Sequence, residues 1–531
     1  MARGTFPSPG WSPVSLRRSL VIAGPPGAGK TTVGARVADR LGRRFVDVDA
    51  ELVRRHGPIV DQFRADGEAA FRQRERAQIV ALAGVAEPLV VAVGGGAWQD
   101  AASRGALRAG FESVVLDVSI EEAMRRIGQD AARPLAGEVA ARWPARAIAF
   151  RDADARLDAG QPVEVVVADV LDHVARPDVR RLRVDASNGG YDVVIRRGGP
   201  GRVGEAIAAH GLRRAVVVTS PAIADAWGEL VRASIEAAGL GADLRVFPLE
   251  ESTKDLAHWR LVVDELIALR VDAGTAVVAL GGGVVGDVVG FAAAAVRRGV
   301  PWFAVPTTLL AMVDAAVGGK VAVNHPSGKN LVGAFHPPDR VEMAIGTLAT
   351  LPPRERAAAW PEIVKTALVD GPLFARLEAE GPRLGDDRWL AGVVEACVAT
   401  KARVVAADER DVGARAVLNL GHTVGHALEL VSGHQIRHGE AVAMGLVAEI
   451  RAAEHLGERV ADGLSERVAA LLEAGGCTTE VPPWPRAALL QAMASDKKGA
   501  GDAWRWPVVD TPGQWRVVRM PFAAGEALLS W

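Results

Sequence analysis

Ser19-Leu-Val-Ile-Ala-Gly24-Pro-Pro-Gly27-Ala-Gly29-Lys30-Thr31 runs from a short apolar stretch into a glycine turn, and residues 31–41 then follow helical spacing. A strand that ends in GxxxxGK[ST] and opens a helix is a phosphate cradle. The glycines let backbone N–H groups curl round phosphate oxygens, Lys30 reaches the outer phosphates, and the Thr31 hydroxyl is placed to meet Mg²⁺. Outward from this turn, 89–93 and 114–118 are further apolar runs separated by helical stretches such as 68–85. Strands alternating with helices predict a parallel α/β sheet. Residues 163–174 read as its last strand and helix, and the charged, glycine-bearing stretch 178–190 reads as a linker.

A second α/β pattern starts at 191–195 and continues through 215–219, 244–248 and 275–280, each run followed by a helical segment. From about 351 helical signals dominate, at 361–369, 391–407, 420–430 and 440–456. The predicted division is 1–177, a linker at 178–190, an α/β unit at 191–345 and a mainly helical unit at 346–531.

Composition narrows the function. The 531 residues are 49% hydrophobic and 24% charged, as in globular proteins. The net charge of −2 leaves no global positive excess for nucleic acid. Cys397 and Cys477 are the only cysteines, so a disulfide framework and a cysteine zinc knuckle are excluded and any metal must use His, Asp or Glu. The start of the chain lacks the continuous apolar core of a signal peptide, and no run of apolar residues is long enough to span a bilayer; the expected compartment is the cytoplasm. Only eight of the 62 basic residues are lysines, at 30, 254, 320, 329, 365, 401, 497 and 498. An Arg-biased chain keeps Lys where a compact ammonium is needed, so these eight positions mark candidate sites.

Around the phosphate cradle, Asp47-Val-Asp49 closes a predicted second strand, so that both carboxylates emerge on one side of it, one for Mg²⁺ and one for a hydroxyl. Arg72, the run Gly94-Gly95-Gly96, Arg133-Pro134-Leu135 and Arg146 complete the set. Over about residues 18–175 this constellation resembles the shikimate kinases. The resemblance implies a P-loop parallel sheet with helices on both faces, ATP on Gly27, Ala28, Gly29, Lys30, Thr31 and Thr32, and Mg²⁺ near Thr31 and Asp47. It implies the acceptor diol on Asp49, the shikimate carboxylate on Arg72 and Arg146, Gly94 to Gly96 against the substrate, and Arg133 over the phosphates. The segment between Arg133 and Arg146 is short for a lid; a silent kinase unit that serves only binding or assembly is the alternative.

In the second half, Gly281-Gly-Gly-Val-Val-Gly286-Asp287 follows an apolar strand, where backbone can approach a dinucleotide pyrophosphate closely. In Gly421-His422-Thr-Val-Gly-His426 the two histidines lie four apart on one helix face, with His438-Gly-Glu440 and Glu362 nearby in helical segments. Two histidines and a glutamate make an open Zn²⁺ site; spacing leaves open which two of His422, His426 and His438 take part. Together with 314–320, Lys329-Asn330, Pro361-Glu362-Ile-Val-Lys365, 415–426 and Asp496-Lys-Lys498, these motifs resemble the 3-dehydroquinate synthases over about 185–525.

That resemblance implies a Rossmann-like NAD-binding α/β domain followed by a helical metal-binding one. It implies NAD⁺ on Glu251, Lys254, Gly282, Gly283, Asp287, Thr307, Thr308, Lys320, Lys329, Thr347 and Thr350, and Zn²⁺ (or Co²⁺) on Glu362, His422 and His438. His426 is then free for phosphate contact and proton handling. Asp314, Lys320, Asn330, Lys365, Lys401, Arg415, Asn419 and one of Lys497 or Lys498 are implied round a heptulosonate 7-phosphate, in a homodimer formed through this half. Another sugar phosphate cyclase, or a polyol dehydrogenase, is the alternative for this half.

Overall fold

The computed structural model describes residues 12–13, 19–127, 149–150, 152–175, 179–187, 189–433, 435–495, 503–522 and 525. Its strands in chain order are β1 (Ser12–Pro13), β2 (Ser19–Ala23), β3 (Arg44–Asp47), β4 (Leu89–Ala92), β5 (Phe111–Asp117) and β6 (Ala155–Asp158), then β7 (Val179–Val184), β8 (Tyr191–Arg196), β9 (Arg214–Thr219), β10 (Gly241–Val246), β11 (Thr275–Gly281) and β12 (Trp302–Pro306), and finally β13 (Lys320–His325), β14 (Gly328–Phe335), β15 (Arg340–Ala344), β16 (Ala503–Thr511) and β17 (Gln514–Pro521).

The first sheet is parallel throughout, in the order β3-β4-β2-β5-β6. All five residues of β2 are buried, because helices cover both faces of the strand and an unbroken apolar run is what such a position demands. One face packs Val21 and Val91 with Phe71 and Trp98; the other packs Leu20 and Ile22 with Val33 and Val167. The phosphate-loop turn therefore leaves the carboxyl end of the central strand, where ligands bind in open α/β sheets.

The second sheet has the order β1-β7-β8-β15-β12-β11-β9-β10. Its six strands from β8 to β10 are parallel, while β7 is antiparallel to β8 and β1 antiparallel to β7. One continuous core runs from Leu182 on β7 through the sheet to Trp360, Leu446 and Trp515, so this sheet and the helical region share an interior. Among the described residues no helix is long and apolar enough to cross a membrane.

Three expectations differ from the structure. The stretch read as a linker contains β7, whose Val179, Leu182 and Val184 are buried; its arginines disguise it, Arg181 pairing with Asp192 (3.2 Å) and Arg180 with Glu395 (3.3 Å). The last strand of the first sheet is β6, and Val163–Ala175 is entirely helix. The mainly helical region ends in the β16–β17 ribbon, where Pro507 is tolerated because a two-stranded ribbon leaves half of its N–H positions unpaired. Trp504 and Trp506 of β16 pack against Val424 and Met444.

Candidate active sites

The first site forms round the phosphate loop. Gly29 is left-handed (φ 84°) at the start of helix Lys30–Leu41, and a Cβ on Gly24 would stand 2.5 Å from the Leu116 carbonyl oxygen, so neither position accepts a side chain. Lys30 Nζ donates to the Pro25 carbonyl (2.9 Å), which folds the ammonium over the loop. Thr31 Oγ1 donates to Asp47 Oδ2 (2.6 Å), bringing together the two oxygens expected at Mg²⁺. Asp47 also accepts from Ala50 N (3.1 Å), capping helix Val48–His56. The expectation that both carboxylates emerge from the strand is corrected here: Asp49 lies in the first turn of that helix.

Asp49 and Arg72 face the triglycine segment. A Cβ on Gly94 would lie 3.2 Å from the Asp49 carboxylate, and one on Gly96 would lie 2.2 Å from an Arg72 guanidinium nitrogen. The bare backbone of helix Gly95–Gln99 thus lets a carboxylate and a guanidinium stand side by side. Arg72 pairs with Glu75 (2.6 Å) and Glu68 (3.3 Å). Glu75 was not read from the sequence; its spacing of three from Arg72 on one helix was the available signal. Burial pushes its carboxyl up to about 7, against the pull of Arg72. Arg133 and Arg146 lie outside the described residues.

The second site is a cleft lined by Gly281, Gly282, Gly283, Asp287, Pro306 and Lys320, among others. Lys254 Nζ joins Asp287 Oδ2 (2.5 Å) to Asn330 Oδ1 (2.6 Å), and Asn324 holds Glu251 Oε1 (2.9 Å). Thr307 is buried and its hydroxyl has no hydrogen-bond partner. A glycine turn that admits close approach and an orphaned hydroxyl fit a dinucleotide. Lys320 Nζ pairs with Asp411 (2.6 Å). Three residues expected here are engaged elsewhere. The Thr347 hydroxyl donates to the Ala344 carbonyl (2.7 Å) in a fully buried turn, and that of Thr350 donates to the Thr347 carbonyl (3.0 Å) while accepting from Trp227. Lys329 pairs with Glu429 (2.9 Å), on the metal side.

The third cluster gathers Glu362, His422 and His438, with one ligand atom of each within 4.8 Å of the others. Glu362 enters from the first turn of helix Trp360–Val369, where Pro361 is tolerated because the first amides lack partners. Its Oε1 lies 3.2 Å from His422 Nε2 and 3.3 Å from His438 Nε2, and Lys365 Nζ lies against Oε2. Both oxygens are buried, yet neither receives a well-formed hydrogen bond. Burial works against the charge, but Lys365 and His422 hold the carboxyl well below the ordinary range.

Burial, with Lys365 next, pushes His422 down to about 4, leaving a neutral imidazole. Its Nδ1–H donates to the Leu420 carbonyl (3.1 Å), so the Nε2 lone pair points at the cluster. His438 resists the same burial because the Glu362 and Glu429 carboxylates beside it favour its charged form and push it up to about 9. Glu429 Oε2 faces its Nδ1 at 3.5 Å. An ionised carboxylate with orphaned oxygens and two Nε2 atoms turned on it fit a divalent metal.

Glu429 and Glu449 were missed in the sequence. Buried Glu449 accepts from Gly421 N (2.8 Å) and Val424 N (3.0 Å), fixing the start of the helix that carries His422. His426, on the same helix, lies 5.3 Å from His422 between ring centres and forms a second candidate group with Glu429 and His438. Lys401 Nζ pairs with Asp314 Oδ1 (2.6 Å). Arg415 donates to the carbonyls of Glu409 (2.7 Å) and Gly318 (3.2 Å), and Asn419 ends the turn Ala414–Asn419. Lys497 and Lys498 lie outside the described residues.

Comparison with known proteins is consistent with this geometry. The family described as "3-dehydroquinate synthase N-terminal" matches residues 245–358, and that described as "3-dehydroquinate synthase C-terminal" matches 359–499. A 3-dehydroquinate synthase of Laribacter hongkongensis is 43% identical over 333 residues, which cover 62% of this chain and 91% of the relative. The chain belongs to the 3-dehydroquinate synthase family. Its N-terminal half is matched by the shikimate kinase family over residues 26–159, so a kinase domain and a synthase are joined in one polypeptide. Among solved structures, the 2-epi-5-epi-valiolone synthase of Streptomyces hygroscopicus, with NAD⁺ and Zn²⁺ bound, aligns with a TM-score of 0.59 and 28% identity over 65% of this chain and 96% of its own. The synthase fold therefore recurs in a synthase of another name, while the 43%-identical relative carries the 3-dehydroquinate synthase name.

Proposed function

We propose that the kinase half transfers a phosphoryl group from ATP to shikimate, and that the synthase half converts 3-deoxy-arabino-heptulosonate 7-phosphate to 3-dehydroquinate and phosphate. In the kinase half Lys30 and the loop amides hold the nucleotide phosphates, and Thr31 and Asp47 hold Mg²⁺. Asp49 orients the attacking hydroxyl and Arg72 takes the carboxylate as a planar fork. In-line placement of this kind is most of what phosphoryl transfer needs.

In the synthase half NAD⁺ fits the Gly281–Asp287 turn, with Lys254, Asp287 and Thr307 around it. A Zn²⁺ or Co²⁺ ion fits Glu362, His422 and His438. When bound, the dinucleotide accepts a hydride and returns it, and the metal acidifies adjacent substrate hydroxyls. Lys365 and Lys401 supply ammonium groups for the substrate's anions, and His426 is placed to move a proton. The protein is read as a cytoplasmic homodimer formed through the synthase half.

The observation that carries the reading is the Glu362–His422–His438 trio, in which one buried carboxylate faces two imidazole Nε2 atoms beside Lys365. The experiment measures two reactions on one preparation. Shikimate-dependent ADP formation is expected to vanish in Lys30→Ala alone. Phosphate release from the heptulosonate phosphate, without accumulating NADH, is expected to vanish in Glu362→Gln alone. ADP formation indifferent to shikimate sinks the first half of the reading, and steady NADH accumulation sinks the second.

A further inference from the structure

The two halves meet across charged groups that water does not reach. Arg202 follows β8, in the synthase half, and is 3% exposed. Its guanidinium reaches into the kinase half and donates to both oxygens of Asp154 (3.1 and 2.7 Å) and to the Phe111 carbonyl (2.8 Å). One residue earlier, the Gly201 amide donates to Asp152 Oδ1 (2.8 Å). Asp152 and Asp154 are 2% and 4% exposed, so each depends on the protein for its counter-charge.

Asp152 leads directly to the acceptor pocket. Its other oxygen lies 3.4 Å from Arg104, and Arg104 donates to the carbonyls of Trp98 (2.7 Å) and Gln99 (3.2 Å), the last turn of helix Gly95–Gln99. The opposite end of that helix is the glycine wall against which Asp49 and Arg72 stand. Trp98 is pinned as well, through Nε1 to the Ala149 carbonyl (2.8 Å). The halves have no room to slide, because a Cβ on Gly198 would stand 1.9 Å from the Ala153 carbonyl oxygen.

We propose that Gly201 and Arg202 of the synthase half are positioning residues for the shikimate pocket of the kinase half. Gly201 holds Asp152 and Arg202 holds Asp154; these carboxylates pair with Arg104 (3.4 Å) and Arg108 (3.2 Å) of the one helix Ala101–Gly110, and Arg104 sets the helix whose glycines face Asp49 and Arg72. The fusion thereby contributes part of the kinase's acceptor site. This inference rests on the kinase reading given above.

The test uses the full chain with the variants Arg202→Met, Arg202→Lys and Gly201→Ala. The alanine acts on Asp152 directly, since its Cβ would stand 2.3 Å from the carboxylate and must displace it. The expected result for Arg202→Met and Gly201→Ala is a rise of about tenfold or more in the shikimate KM. The ATP KM and kcat change less, and turnover by the synthase half stays within about twofold of wild type. Arg202→Lys is expected to recover part of the loss, because an ammonium can pair with Asp154 but cannot reach the Phe111 carbonyl at the same time. A shikimate KM unchanged in Gly201→Ala overturns the proposal, including the case in which Arg202→Met does not fold. Parallel loss of both activities also overturns it, since that is the signature of general destabilisation. A wild-type chain without shikimate-dependent ADP formation refutes the kinase reading itself and is distinguishable from either result.

Discussion

Gly96→Ala tests the kinase pocket with one methyl group. Gly96 lies within a helix, so its backbone accepts alanine, and the helix gains up to about 1 kcal/mol of intrinsic propensity. The added Cβ, however, would stand 2.2 to 2.4 Å from three atoms of the Arg72 guanidinium, where ordinary contact begins at 3.4 Å. The guanidinium must retreat by about 1 Å. It is tied to Glu75 and Glu68, and its retreat breaks the alignment with a substrate carboxylate. Losing a charge-assisted hydrogen bond costs about 1.5–3 kcal/mol, which at about 1.4 kcal/mol per decade is roughly a 10- to 150-fold rise in the shikimate KM. The assay is ADP formation over a shikimate titration, with phosphate release by the synthase half of the same sample as the control for folding. A shikimate KM within about twofold of wild type would refute the assignment of the carboxylate to Arg72.

Other outcomes follow from the same geometry. The Glu75 carboxyl rises from 4.5 to about 7 on folding, so between those values the folded chain binds more protons than the unfolded one and loses stability as pH rises; Glu75→Gln is expected to flatten that part of a plot of thermal midpoint against pH. Glu362→Gln leaves Lys365 buried without its partner, at a cost of about 3–5 kcal/mol. Metal analysis of that variant is expected to show an empty site while kinase turnover persists, and a full complement of metal would count against Glu362 as a ligand. Lys254→Met removes the bridge between Asp287 and Asn330. Calorimetry is expected to show NAD⁺ binding weakened by about tenfold, consistent with loss of one charged hydrogen bond.

Much of this was legible in the sequence because the decisive chemistry is local. The phosphate loop is a contiguous string whose glycines and lysine act within one turn, and His422 and His438 open two consecutive helices. What lay hidden depends on partners far away in the chain. Glu449 caps the helix of His422 from the next helix, and as one of three glutamates along that helix it gives no hint of that. Lys329 was placed at the dinucleotide by resemblance, but the β13–β14 hairpin turns Lys329 and Asn330 to different partners, Glu429 and Lys254. Thr347 and Thr350 have hydroxyls that the fold itself engages. β7 was taken for a linker because its three arginines mask the apolar Val179, Leu182 and Val184, and the fold pairs those arginines with Asp192 and Glu395.

The pairing of β1 with β7 bears on how the chain is made. Ser12 and Pro13 are synthesised before the kinase sheet, yet their partners Arg181 and Arg180 come about 170 residues later. At ordinary translation rates that is a wait of roughly 10–30 s, long enough for the intervening kinase sheet to form. This short strand can therefore be seated only after the kinase sheet that follows it has been made, and its pairing ties the stretch before that sheet to the first strand of the second sheet.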